Sequence, residues 1–119
     1  MAVTVDERGP VRIVRVREAK LTYPVLGRFF SDVQKMVEDG ATLLLLDLRE
    51  VAYMDSASIG CLMDIHRLLQ GRGGVLKLFG LQPRVETMVS MTGVSKIIEA
   101  QRDEAEGLAA FAVDAQRGD

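Results

Sequence analysis

The run Leu43-Leu44-Leu45-Leu46, continued by Asp47 and Leu48, narrows the folds open to this chain more than any other stretch. A strand with one wet face alternates polar and apolar residues, whereas four successive leucines need cover on both sides, which predicts a buried strand of the kind found in parallel sheets. The stretch Leu43 to Leu62 reads LLLLDLREVAYMDSASIGCL. Its strand signal is expected to give way near Tyr53, with Asp55 and Ser56 following as helix starters. Ile59, Leu62, Met63, Ile65, Leu68 and Leu69 then recur at helical spacing up to a break at Gly71-Arg72-Gly73-Gly74. Ser56 is therefore expected at the carboxyl edge of a sheet, at the start of a helix.

The remaining elements alternate in kind. Val3 to Val5 and Val11 to Val16 predict a hairpin around Arg8-Gly9-Pro10. Val25, Leu26, Phe29, Phe30, Val33, Met36 and Val37 predict a helix over 23–37, stopped by Asp39-Gly40. Val75, Leu76, Leu78 and Phe79 predict a strand. Gln82-Pro83 opens a helix with Val85, Met88 and Val89 inward and Gly93 at its end. Val94 to Ala100 reads as a short strand and Asp103 to Val113 as a final amphipathic helix. Right-handed crossovers then give an α/β fold, a four- to five-stranded mixed sheet with helices packed mainly on one face. One domain is expected over 1–119, with its core at about 10–113 and a frayed tail at 114–119.

Composition excludes several function classes. With 48% hydrophobic residues a chain of 119 builds one core without disulfides. A net charge of −2 provides no basic field, so nucleic acid is not an expected partner. Met1 to Arg8 lacks the features of a signal peptide and the leucine run is far too short to span a bilayer, so the reading is a cytoplasmic protein without membrane insertion. The single cysteine, Cys61, excludes an internal disulfide and reads as core filler, and the single histidine, His66, reads as a surface residue. No metal site, no cofactor and no enzymatic activity are expected, since nucleophile, base and orienting residue nowhere occur together. The glycines at 71, 73 and 74 follow a helix and precede a strand, the reverse of a phosphate loop, and read as a turn. Met54, Met63, Met88 and Met91 read as core, with an adaptable docking surface near the second helix as the alternative.

Two blocks carry a family resemblance. Val51-Ala52-Tyr53-Met54-Asp55-Ser56 is one; the other is Gly74 to Leu78 with Gln82-Pro83-Arg84-Val85, Met91-Thr92-Gly93-Val94 and Lys96-Ile97-Ile98. Over roughly Val11 to Phe111 the chain resembles the STAS domain, in particular the bacterial anti-sigma factor antagonists. The resemblance implies that Ser56 is phosphorylated by a serine kinase that doubles as anti-sigma factor. It further implies that the unphosphorylated protein binds this kinase and frees the sigma factor, and that a serine phosphatase restores binding. It gives Asp55 the role of helix cap and phosphosite support, and makes Ser58 a secondary acceptor. A partner surface is implied at Lys20, Thr22, Tyr23, Asp55, Ser56, Ser58, Gly60 and Asp64, on a monomer or weak dimer. The alternative is a constitutive STAS interaction or scaffold subunit of a phospholipid-trafficking transporter or a stressosome-like assembly. Read from the local pattern alone, Asp55 and Ser56 are ordinary helix caps. Two features depart from the family pattern: Ala57-Ser58 stands where a small residue and a glycine are usual, and Glu18 to Pro24 lacks the usual Gly-x-Leu-Asp type loop.

Overall fold

The computed structural model describes residues 2–117. In chain order its elements are β1 (Val3–Arg8), β2 (Val11–Val16), β3 (Lys20–Leu21), α1 (Leu26–Glu38), β4 (Leu43–Asp47), β5 (Tyr53–Met54), α2 (Ser56–Gln70), β6 (Val75–Phe79), α3 (Pro83–Met91), a 3-10 turn (Val94–Lys96), β7 (Ala100–Gln101) and α4 (Glu104–Arg117). Strands β1 and β2 form the expected antiparallel hairpin, with Val3 opposite Val16. The main sheet is five-stranded and mixed, in the order β1-β2-β4-β6-β7, with every pairing after the first parallel.

The leucine run is covered on both faces, as its composition requires. Leu44 and Leu46 share one face with Val14, Val16, Leu76 and Leu78, under Phe29, Val33 and Val37 of α1, Ile59, Leu62, Ile65 and Leu69 of α2, and Val85 and Val89 of α3. Leu45 points the other way, into a smaller cluster with Val11, Ile13, Phe79 and Phe111 of α4. Helices thus lie mainly on one face, with α4 alone opposite. Arg15, Asp47 and Lys77 are buried beside that smaller cluster, and Arg15 donates to Asp6 (2.7 Å), Asp47 (2.9 Å) and Glu104 (2.9 Å), joining β1, β2, β4 and α4 at one guanidinium.

Several boundaries differ from the sequence reading, three of them for a clear local reason. The central strand stops at Asp47 rather than near Tyr53, because the Asp47 carboxylate accepts the Arg49 backbone N–H (3.0 Å) and bends the chain into a turn. Val94 to Ala100 is not a strand. Val94 and Ile98 are buried four residues apart, a helical interval, with Ile97 left 52% exposed, and only Ala100 and Gln101 pair with β6. Helix α1 begins at Leu26 rather than Tyr23, since the Thr22 carbonyl accepts the Val25 N–H (2.8 Å) in a turn. Helix α4 runs to Arg117, past the expected end at Val113, so residues 114–117 of the expected tail are helical, and residues 118 and 119 lie outside the described residues.

The glycine break after α2 is a helix stop that leaves no donor for an anion. Gly71, Arg72, Gly73 and Gly74 direct their N–H groups back to the carbonyls of Arg67, Leu69, Gln70 and Leu69. A Cβ on Gly74 lies 2.4 Å from the Thr42 carbonyl oxygen, the same oxygen that accepts the Val75 N–H and sets the register of β6 on β4. Gly74→Ala is therefore expected to destabilise the domain by about 1–3 kcal/mol through overpacking, whereas Gly71→Ala, with its nearest contacts at 3.6 Å, stays within about 0.5 kcal/mol. Urea midpoints at unchanged slope measure both.

Candidate functional site

Helix α2 begins with a reciprocal cap. Asp55, extended at φ −115° and ψ −175°, is the N-cap. Its Oδ1 accepts the Ser58 backbone N–H at 2.9 Å, and Ser58 Oγ accepts the Asp55 N–H at 2.7 Å. Glu or Gln is usual in the return position of such a box; here a serine fills it. Hydrogen bonds from the Ser58 backbone and then the Ser58 hydroxyl hold the Asp55 carboxyl below the ordinary carboxylate range. Because this folded-state value is depressed, the cap's contribution is complete above the unfolded carboxyl value of about 4 and is lost as pH falls through the folded one. Ser58→Ala is expected to cost about 1–2 kcal/mol at neutral pH, with a smaller difference from the unaltered protein in acid. Thermal unfolding of both proteins across pH 2–7 measures it.

The two serines of the first turn are placed oppositely. Ser56 occupies the first helical position and is exposed, and Ala57 beside it is exposed as well. Ser58 is fully buried. Its expected roles as a surface contact and second acceptor do not hold, because at the third helical position its side chain turns back over the cap. Gly60 and Asp64 are exposed and follow Ser56 at intervals of four, which places all three on one helix face, and Asp64 accepts from Arg67 at 2.8 Å.

The loop expected beside Ser56 is brought there by a second, two-stranded sheet. Strand β3 pairs in parallel with β5, Lys20 opposite Tyr53 and Leu21 opposite Met54, and the Ala19 carbonyl accepts the N–H groups of Ala52 (2.8 Å) and Tyr53 (3.1 Å). Leu21 and Met54 point into the core, while Lys20, Tyr53 and the following Tyr23 are exposed and Thr22 is half-buried. Lys20, Thr22 and Tyr23 are thus held against the segment that ends in Asp55 and Ser56.

A groove of about 420 Å³ on the same side is lined by Tyr53, Met54, Arg84, Thr87, Met88 and Met91. Its three methionines belong to the alternative docking-surface reading, whereas sequence reading misses Tyr53, Arg84 and Thr87. The Arg84 guanidinium lies 5.4 Å from the centre of the Tyr53 ring, and Met91 is 81% exposed rather than in the core. A signal existed: with Val85 and Val89 inward, Arg84, Thr87 and Met91 fall on a different face of α3. Met54 is in the core as expected, and Met63 and Met88 pack half-buried against it.

Other candidate chemistry is absent from this region. Cys61 is buried, and burial followed by the charge of Asp64 pushes its thiol up to about 11, out of the reactive range. Among the described residues no group of three His, Cys, Asp or Glu side chains is arranged to hold a metal ion, and no helix is long and apolar enough to cross a membrane. What the site offers is one accessible hydroxyl directly after a fixed carboxylate, flanked by exposed aromatic, thioether and cationic side chains.

A family model for the STAS domain matches residues 2–107. An anti-sigma-B factor antagonist of Listeria monocytogenes is 41% identical over 64 residues, a segment covering 54% of this chain and 56% of that protein, so the match spans little more than half of each. Among solved structures, an anti-sigma-factor antagonist (STAS) domain protein from Planctomyces limnophilus superposes with a TM-score of 0.84 at 18% identity, covering 92% of this chain and 97% of that one. The Bacillus cell fate determinant SpoIIAA in its phosphorylated form gives a TM-score of 0.70 at 16% identity, covering 92% and 99%. At such identities the superpositions speak for the fold.

Proposed function

We propose that this chain, which belongs to the STAS domain family, is an anti-sigma factor antagonist that captures a serine-kinase anti-sigma factor and releases its sigma factor until phosphorylation of Ser56 ends the capture. The observation that carries this reading is the contrast within one helical turn: the Ser56 hydroxyl is exposed directly after the Asp55 cap, while the Ser58 hydroxyl is buried in that cap. The names of the relatives support the same role, and SpoIIAA, an anti-sigma factor antagonist, has been solved in unphosphorylated and phosphorylated forms.

The physics of the position suits a switch that leaves the fold intact. A phosphate adds about −1.5 to −2 charges at neutral pH, and the first-turn N–H groups and positive end of the helix dipole accommodate it. The penalty falls on the complex, where the phosphate crowds a surface fitted to a bare hydroxyl. That surface comprises Lys20, Thr22 and Tyr23, the α2 face of Ser56, Gly60 and Asp64 with Asp55 at its entry, and the groove between Tyr53 and Met91. Acting on a kinase and a sigma factor, the protein works in the cytoplasm, and a serine phosphatase returns it to the binding form.

The test is intact-mass and site-mapped phosphorylation of the protein purified from its native cells, with Ser56→Ala as control, followed by pulldown with the unmodified form. The expected result is a single phosphate on Ser56 and a kinase retained only by the unmodified protein. If Ser56 carries no phosphate and the alanine variant keeps the same partners, the constitutive scaffold reading takes its place.

A further inference from the structure

We infer that the outer edge of β1 is a pairing surface for a second copy of this chain, joined antiparallel about a two-fold axis at Val5. Strand β1 is an edge of the five-stranded sheet and pairs only with β2. The Arg17 N–H donates to the Ala2 carbonyl at 2.7 Å, one step beyond the Val3–Val16 pair, which sets the alternation of the ladder. In an antiparallel pair, opposite residues alternate between exchanging hydrogen bonds and turning theirs outward. Thr4, Asp6 and Arg8 therefore bond to β2, whereas Val3, Val5 and Glu7 direct N–H and C=O away from the sheet. Among the described residues no backbone group of another element meets them. Val5 is 42% exposed on this edge, and beside it a groove of about 330 Å³ runs between Val3, Val5 and Arg12 on the sheet and Lys35 and Met36 of α1.

Charge selects both the occupant and its register. Charged residues blunt natural sheet edges, and Asp6, Glu7 and Arg8 do so here against an arbitrary strand. A second β1 meets them without conflict in one register. A two-fold axis normal to the sheet keeps like faces together, so odd-numbered residues of β1 face odd-numbered ones. With Val5 opposite Val5 of the second copy, Val3 stands opposite Glu7 and Thr4 opposite Asp6, and every outward residue exchanges hydrogen bonds in both directions. Moving the axis to Asp6 or Glu7 sets carboxylates directly opposite each other, and moving it to Thr4 or Val3 carries Glu7 past the end of the facing strand. In the Val5 register the Glu7 carboxylate, whose side chain is 70% exposed, enters the other copy's groove beside Val3 and Lys35. Lys35 is exposed, and among the described residues no acid pairs with it. On the opposite face Asp6 comes beside Arg17, which donates to Thr4 Oγ at 3.1 Å. None of these residues belongs to the surface around Ser56, so the pairing stands apart from the phosphorylation reading.

The test is sedimentation equilibrium of the full chain between about 10 and 500 µM, the range suited to a small interface. The expected result is a mass that rises from one chain toward two. Val5→Lys and Val5→Glu each set like charges at the axis and remove the valine contact, and each is expected to weaken association at least about fivefold. An equal mixture of the two variants is expected to recover the unaltered strength within about threefold, because residue 5 faces only its own copy and the mixture brings opposite charges together there. Val5→Pro removes an N–H that makes no bond to β2, so it is expected to keep the hairpin and lose the dimer. Thermal unfolding at about 10 µM is expected to move by less than about 4 °C in the lysine and glutamate variants, which establishes that the fold persists. A mass of one chain throughout the range, a dimer that the Val5 variants leave intact, or a mixture no stronger than either variant alone overturns the pairing.

Discussion

Replacing Arg15 with methionine is expected to cost about 3–5 kcal/mol, a large fraction of the stability of a domain this size. The side chain of Arg15 is 9% exposed and meets Asp6 on β1, Asp47 on β4 and Glu104 at the start of α4. Methionine fills much of the space but leaves Asp47, 5% exposed, with Arg49 as its remaining cation, and removes the shorter of the two ion pairs that tie Glu104 of α4 to the sheet, leaving the one to Arg8 at 3.9 Å. Burial alone raises the Asp47 carboxyl, but hydrogen bonds from the Arg49 side chain and backbone and from Arg15 outweigh it and hold it low. The Arg15 hydrogen bond likewise lowers Asp6. Depressed carboxyl values contribute stability that is complete above an unfolded value of about 4 and lost as pH falls through the folded values. The penalty of Arg15→Met is therefore expected to be full at pH 7 and to shrink below about pH 4, where the unaltered protein loses the same interactions. At roughly 4 °C per kcal/mol, unfolding scans read this as a drop of about 12–20 °C at neutral pH. Equal losses at pH 7 and pH 3 defeat the electrostatic account.

The second large effect separates binding from folding. Phosphorylated Ser56 is expected to bind the kinase at least about a hundredfold more weakly than the unmodified protein, equivalent to about 3 kcal/mol, and Ser56→Glu, with half the charge, about tenfold more weakly. Ser56→Ala is expected to bind within a few-fold of the unaltered protein, since its loss is one exposed hydroxyl. None of the three is expected to move the melting temperature by more than about 2 °C, because Ser56 is exposed and the cap is built by Asp55 and Ser58. Calorimetric titration beside thermal unfolding reads both quantities on the same samples. A phosphoprotein that binds as tightly as the unmodified one, or that melts far lower, contradicts a switch confined to the interface.

Where one element decides its own burial, the sequence is informative. The leucine run demands two covers, and Val11 and Ile13 on one parity with Val14 and Val16 on the other already describe a strand between two layers. Asp55 and Ser56 announce the helix start at the edge of the sheet. What was not legible depends on residues far apart in the chain. The groove joins Tyr53 to Arg84 and Met91, and Arg15 gathers acids from three other elements. Val94 to Ala100 misled because Ile97 and Ile98 carry strand propensity, whereas the sheet edge leaves room for only Ala100 and Gln101 to pair. Ser58 misled because nothing in Asp-Ser-Ala-Ser tells which hydroxyl turns inward; the return bond to the Asp55 N–H decides it.

The small sheet of β3 and β5 bears on how such a protein diversifies. Each of its strands contributes one anchor, Leu21 or Met54, to the main core and presents the adjacent residue, Lys20 or Tyr53, outward. Neither strand belongs to the five-stranded ladder that carries the fold. Mutation at the outward positions therefore rewrites what the surface beside Ser56 recognises without passing through an unstable intermediate. A fold built on this plan can vary the chemistry displayed beside Ser56 by exchanging a few side chains on this two-rung ladder while keeping the same scaffold.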